Sequence, residues 1–171
     1  MIDDKILINI LNSREERSRK QINILKDFPY SLISFTLNTP GAIKDNYLYQ
    51  RIHKEGLNVI IDTLNQYKDK IKNIEELHKS TGYEGYISVD IEPLDLKTMM
   101  VSIENAHELG RLFDIDVFDK GHNQIGRSDL GLESRKCLIC EKDARLCMRE
   151  KNHSYEDLIL KIEELSRVYF R

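Results

Sequence analysis

The stretch Gly110-Arg111-Leu112-Phe113-Asp114-Ile115-Asp116-Val117-Phe118 constrains the fold more than any other part of the chain. Phe113, Ile115 and Val117 alternate with Leu112, Asp114, Asp116 and Phe118, a period of two that predicts a β-strand with one face on a core. Asp114 and Asp116 then project from the same face, with Cα atoms about 6–7 Å apart at a rise of roughly 3.3 Å per residue. Two carboxylates so placed on a stiff backbone can converge on one hard cation. Mg²⁺ held by one or two carboxylates plus substrate phosphates is the usual arrangement for phosphoryl and nucleotidyl transfer. A solvated acidic edge strand has the same pattern, and the spacing alone leaves both readings open.

At 171 residues the chain has room for one domain with a real core, spanning 1–171. Its 26 basic and 29 acidic residues give a net charge of −3, without the basic footprint of a general nucleic-acid binder. No nucleic-acid partner is expected, although local basic clusters can still hold a phosphate-rich small ligand. The apolar runs fall well short of the roughly 20 residues that span a bilayer. Met1-Ile2-Asp3-Asp4-Lys5 lacks the basic-then-apolar order of a secretory leader, so a cytoplasmic protein without a membrane partner is expected. The three cysteines, clustered between Cys137 and Cys147, do not read as a disulfide framework.

In the N-terminal half, residues 3–11 suggest a short helix, and Ser13 with Glu16 has the spacing of a capping box for a second one ending before Pro29. Arg14, Arg17 and Gln21 share a side of that helix and offer two guanidinium groups to an anion, or form a solvated face. Residues 31–37 read as a strand with Ile33, Phe35 and Leu37 inward, closed by the turn Asn38-Thr39-Pro40-Gly41. Lys44 follows at a strand–turn–helix corner, where a phosphate contact or a plain surface lysine are the alternatives. A helix capped by Asp45 is expected over about 46–68, with Gly56 marking a close backbone approach and His53 on its flank. Residues 68–82 read as a helix tail and loop.

Residues 86–92 alternate as a further strand, and a helix over about 95–106 leads back to the acidic one. That strand–helix–strand order argues for an α+β or mixed α/β fold: a small mixed sheet flanked by helices, open to a nucleotidyltransferase-like arrangement. It also makes Asp90 and Glu92 candidates for a third carboxylate beside Asp114 and Asp116. His107, Gly110 and Arg111 lead into the strand; the glycine would admit a phosphate or another backbone, and Arg111 would neutralise a phosphate. Arg127, Arg135 and Lys136 bring further positive charge. Cys137, Cys140, Cys147 and His153 have donor types that can close a tetrahedral zinc site, with reduced structural thiols as the alternative. Ser154 and Asp157 open a last amphipathic helix.

Together these residues resemble the citrate lyase holo-[acyl-carrier-protein] synthases, also called apo-citrate lyase phosphoribosyl-dephospho-CoA transferases. The resemblance runs through Ser13-Arg14-Glu15-Glu16-Arg17, Ser34-Phe35-Thr36-Leu37-Asn38-Thr39-Pro40-Gly41-Ala42-Ile43-Lys44 and Gly110 to Val117. It continues through Arg135-Lys136-Cys137-Leu138-Ile139-Cys140, Cys147 and His153. It implies transfer of a phosphoribosyl-dephospho-CoA group from 2'-(5''-triphosphoribosyl)-3'-dephospho-CoA to a serine of the citrate lyase acyl carrier protein (the γ subunit), with release of pyrophosphate. On chemical grounds Asp114 and Asp116 are then the expected Mg²⁺ ligands, and one of them or Asp90 the acceptor of the serine proton. Arg111, Lys44, Arg14 and Arg17, with Gly110 and His107 beside them, are the expected substrate contacts. A basic groove including Arg127, Arg135 or Lys136 is the expected docking surface for an acidic carrier. A zinc-stabilised binding module, or a nucleotidyltransferase with another acceptor, are the alternatives.

Overall fold

The structure, a computed structural model, describes residues 4–41 and 43–171. Met1–Asp3, on which the leader reading and the start of the first expected helix fall, and Ala42 lie outside the described residues. The elements are α1 (Asp4–Asp27), β1 (Ser31–Leu37), α2 (Tyr47–Thr63), β2 (Ile71–Lys79), β3 (Gly82–Val89), α3 (Pro93–Ala106), β4 (Phe113–Phe118), β5 (Gln124–Ile125), α4 (Ala144–Glu150) and α5 (Tyr155–Tyr169). The strands form one sheet in the order β2-β3-β1-β4-β5. Helices α2, α3 and α5 cover one face, and α1 lies on the other.

The main core forms where inward residues of the strands meet α2 and α3. Ile33, Phe35, Ile87, Phe113, Ile115 and Val117 pack against Ile52, Ile60, Leu96 and Met100, all at most 1% exposed. Burying each such side chain contributes about 1.5–3 kcal/mol. Gly56 makes the expected close approach: a Cβ there would lie 2.4 Å from the Phe35 ring. His53 stacks on Phe35 with ring centroids 4.7 Å apart, and burial pushes its pKa down to about 4. It is therefore a neutral core residue near neutral pH.

The α+β layering agrees with the sequence pattern, but every strand pairing is antiparallel. Strand β1 lies between β3 and β4, so the strand–helix–strand unit is split and its strands are not neighbours. Other expectations are also revised. Residues 4–27 form one helix, and Ser13 is no cap: buried in the interior of α1, its hydroxyl donates to Thr81 at 3.0 Å. Helix α2 is capped by Asn46, whose side chain accepts from the Tyr49 N–H at 2.8 Å. Asp45 instead accepts from the Tyr83 hydroxyl at 2.7 Å and pairs with His78. Residues 71–79, expected as helix tail and loop, form edge strand β2, with a bulge between Ile71 and Asn73. The expected Ser154–Asp157 capping box opens α5.

Candidate active site

The sheet face beneath α1 carries Leu32, Ser34 and Thr36 of β1, Glu84, Tyr86 and Ser88 of β3, and Asp114, Asp116 and Phe118 of β4. Helix α1 covers the β1–β3 side, where Gln21 donates to Ser34 at 2.9 Å and pairs with His122 at 3.1 Å. Over β4 the face opens into a cavity of about 800 Å³ in which Asp114 and Asp116 stand together, a size usual for small-molecule sites. Its rim includes Asn38 to Gly41 of the turn after β1 and residues 124–128 at and after β5.

Beyond Phe118 and Val117, which pair with β5, the outer edge of β4 has no strand beside it among the described residues. Side chains take its place. The Ile115 N–H donates to Glu104 Oε1 at 3.2 Å, and the Ile115 carbonyl accepts from Lys97 Nζ at 2.7 Å. The Phe113 carbonyl accepts from Arg135 Nη1 at 2.9 Å. Glu104, 2% exposed, also pairs with Arg135 and accepts from Arg127 at 2.9 Å. Arg135 in turn lies 3.6 Å from Asp114, and Gln124 donates to Asp116 at 2.7 Å.

Burial, and next to it the charge of Asp114, raise the pKa of Asp116 to about 6, against the opposing pull of Lys97 and Arg135. Burial and the neighbouring cations of Arg135 and Arg127 shift half-buried Arg111 downward. Of the six cations that line the cavity, Lys97, Arg111, Arg127 and Arg135 stand on the β4 side with the two carboxylates, with Glu104 buried behind them, and Arg145 and Lys151 come from the Cys/His segment. Such a set is suited to a polyanion together with a divalent cation.

The expected site residues divide. Asp114, Asp116 and Arg111 line the cavity, as do Arg127 and Arg135, which were expected on a docking surface. Asp90 is exposed beyond the end of β3, with β1 between β3 and the acid pair, and lines a separate recess with Tyr67, Lys70 and Glu92. Lys44 folds back onto the Thr39 carbonyl and hydroxyl, bracing the turn from behind. Arg17 is spent on Glu84 at 3.1 Å. Arg14 is exposed and is not among the cavity-lining residues. Gly110 permits a close backbone approach, since a Cβ there would lie 2.5 Å from the Glu104 carbonyl; it faces helix α3 and not the cavity. His107 packs between Phe113 and Tyr169, its Nδ1 accepting from the Leu109 N–H at 3.1 Å. Lys136 is exposed and paired with Glu141 at 2.8 Å.

Sequence reasoning missed Lys97 and Glu104. The available signal was charge at positions i and i+7 on the same side of α3 as Val101, where an apolar stripe would otherwise continue.

The Cys/His segment forms one wall of the same cavity. Cys137 and Cys140 lie on a tight hairpin, in which the Cys137 N–H donates to the Lys142 carbonyl at 2.7 Å. Cys147 comes from α4, and His153 from the loop before α5. The sulfurs of Cys147 and Cys137 are 3.4 Å apart, those of Cys140 and Cys147 3.9 Å, and His153 Nε2 is 3.2 Å from Cys140 Sγ. All four donor atoms lie within 4.8 Å of one another. A tetrahedral ion with metal–sulfur bonds of about 2.3 Å needs sulfurs roughly 3.8 Å apart, so the cluster can hold a metal ion.

With this geometry in place, comparison with known proteins gives the class and then the family. The chain matches the family described as apo-citrate lyase phosphoribosyl-dephospho-CoA transferase over residues 5–169. Proteins of that name from Escherichia coli O1:K1 / APEC, Escherichia coli O157:H7 (strain EC4115 / EHEC) and Shigella boydii serotype 18 (strain CDC 3083-94 / BS512) are each 36% identical to it over 156 residues. The match covers 91% of this chain and 85% of theirs. The protein is therefore an enzyme of the transferase class. It belongs to the apo-citrate lyase phosphoribosyl-dephospho-CoA transferase family. Among the described residues no helix is long and apolar enough to cross a membrane.

Proposed function

We propose that this chain attaches the phosphoribosyl-dephospho-CoA group of 2'-(5''-triphosphoribosyl)-3'-dephospho-CoA to a serine of the citrate lyase acyl carrier protein, in the cytoplasm. The observation that supports this reading most directly is the convergence of Asp114, Asp116, Lys97, Arg111, Arg127 and Arg135 on one cavity. In the reaction the serine oxygen bonds to the α-phosphorus, the bond from that phosphorus to pyrophosphate breaks, and the serine proton passes to a carboxylate. Asp114 and Asp116 are the only two of the expected acids in the cavity. They hold Mg²⁺ when it is bound, which would neutralise the phosphate oxygens and stabilise charge on the leaving group.

The cations divide by what holds them. Lys97 and Arg135 are anchored on β4 carbonyls, and Arg127 and Arg135 on Glu104, so these side chains are pre-aimed without reorganisation. Among the described residues Arg111 has no such anchor, and it sits near Arg135 and Arg127, a like-charge crowding that a phosphate group would relieve. The Cys137, Cys140, Cys147 and His153 cluster binds zinc, a choice that follows from the three sulfurs and one imidazole. Mass spectrometry of the apo-carrier incubated with this protein, the precursor and Mg²⁺ tests the reading. The expected result is a mass gain equal to phosphoribosyl-dephospho-CoA; an unmodified carrier would refute it.

A further inference from the structure

We infer that the Cys137/Cys140/Cys147/His153 metal centre folds residues 131–154, and that metal binding thereby builds one wall of the substrate cavity. The inference rests on the zinc and phosphate-site assignments made above.

The first support is how little core the segment has besides the metal cluster. Cys147 is the only buried residue from 131 to 154, whereas Leu132, Ile139, Leu146 and Met148 are 37–75% exposed. Leu138 alone of its apolar side chains packs, half-buried, against the main core, too little to offset the conformational entropy of ordering the segment. The metal is what can, because deprotonated thiolate and imidazole donors convert metal-binding free energy into folding free energy.

The second support is connectivity. The four ligands belong to three separate pieces: the hairpin at 137–142, α4, and the loop entering α5. One ion would tie all three. Cys137, Cys147 and His153 themselves line the cavity, with Leu138, Met148 and Lys151 from the same pieces. Arg135, two residues before Cys137, is held to the start of α4 through its carbonyl, which accepts from the Ala144 N–H at 2.8 Å. Its guanidinium meanwhile reaches Glu104, the Phe113 carbonyl and Asp114. At the other end, two residues after His153, the Tyr155 ring packs against Gly41, where a Cβ would lie 2.4 Å from it. The metal-tied segment thus bridges the β1 turn on one side and the acid pair on the other. Binding of metal and binding of a polyphosphate should stabilise each other.

The test uses the full-length protein, zinc-loaded and after chelation, with Cys140→Ser as a second metal-free form; Cys140 is the one ligand outside the cavity lining. Three readouts are taken: zinc content, tryptic cleavage mapped by mass spectrometry, and calorimetric binding of inorganic tripolyphosphate. One zinc per chain is expected in the loaded protein. The metal-free forms should be cleaved first at Lys136, Lys142, Arg145, Arg149 or Lys151, while the sheet and α1–α3 stay protected. Added zinc should restore protection to the chelated wild type but not to Cys140→Ser. Tripolyphosphate affinity should drop about tenfold without metal, within the usual range of coupling between sites.

Sub-stoichiometric zinc, or equal resistance of residues 131–154 with and without metal, would overturn the inference. Unchanged tripolyphosphate affinity in a metal-free protein cleaved as expected would overturn the coupling. An error in the transferase reading would show differently: zinc-loaded protein would pass all three tests and still leave the carrier unmodified.

Discussion

The two halves of one sheet face use charge in opposite ways. Under α1, Glu84 is 2% exposed and fully engaged: Arg17 pairs with it at 3.1 Å, Lys79 at 3.2 Å, and the Tyr86 hydroxyl donates at 2.7 Å. Two strands away, Asp116 has a glutamine at 2.7 Å and an open cavity in front of it. Burial raises both acids, but at Glu84 the Tyr86, Arg17 and Lys79 partners outweigh it and leave the pKa below the ordinary value. At Asp116 burial and Asp114 prevail, and the pKa reaches about 6. Charge that the fold completes is structural, and charge that the fold leaves incomplete is where a ligand belongs.

The largest expected effect tests the open half. Asp114→Asn and Asp116→Asn should each lower carrier modification by about 10³-fold or more, with circular dichroism unchanged. Retained transfer in either variant would remove the metal assignment. Next comes the support behind the site. Glu104→Gln keeps size but loses the charge that aligns Arg127 and Arg135, and kcat/KM should fall about 10²-fold. Glu104→Asp should recover less than the full rate, because it shortens the reach to the Ile115 N–H.

The closed half should answer in stability alone. Arg17→Ala is expected to cost about 1–3 kcal/mol in urea unfolding, since Glu84 keeps Lys79 and Tyr86. Its KM for the precursor should stay within about twofold, and a large rise would break the contrast. A smaller effect separates the two acids by pH. Glu84, with a lowered pKa, adds stability above its unfolded value and loses it as pH falls through the folded one. Asp116 has a folded pKa raised above its unfolded value, so the protein without Mg²⁺ loses stability as pH rises from about 4 to about 6. Asp116→Asn should therefore raise the Tm measured without Mg²⁺ by a few degrees (about 2–4 °C per kcal/mol) at pH 7.5 and by nothing near pH 4. Glu84→Gln should lower it at pH 7.5 and converge with the wild type in acid. Last, Asp90→Asn should change neither activity beyond about twofold nor stability beyond about 0.5 kcal/mol.

What the sequence made legible follows the range of each signal. Alternation exposes the faces of β1, β3 and β4, and the Cys/His spacing shows a donor set, because both are local patterns. Strand β2 was hidden: Ile71, Ile74 and Leu77 recur every third residue, which mimics a helix, and the bulge near Ile71 breaks the alternation. The position of Asp90 was misjudged because a strand–helix–strand unit does not reveal that β1 has entered between its strands. Arg17 and Arg135 are alike as sequence; only the neighbours on β3 and β4 decide that one is consumed and the other displayed. Lys97 and Glu104 escaped notice for a related reason, since the β4 backbone edge that lets both be buried is distant from them in sequence.

That edge has a consequence of its own. An unpaired strand margin is a template for adding another strand, and from Phe113 to Ile115 β4 offers its margin to Arg135, Glu104 and Lys97 instead of to a neighbouring chain. The Ile115 amide, between the two aspartates, is therefore protected by a carboxylate in place of a carbonyl. Its hydrogen–deuterium exchange rate becomes a single-atom gauge of whether Glu104 is in place, readable in the resting enzyme without turning it over.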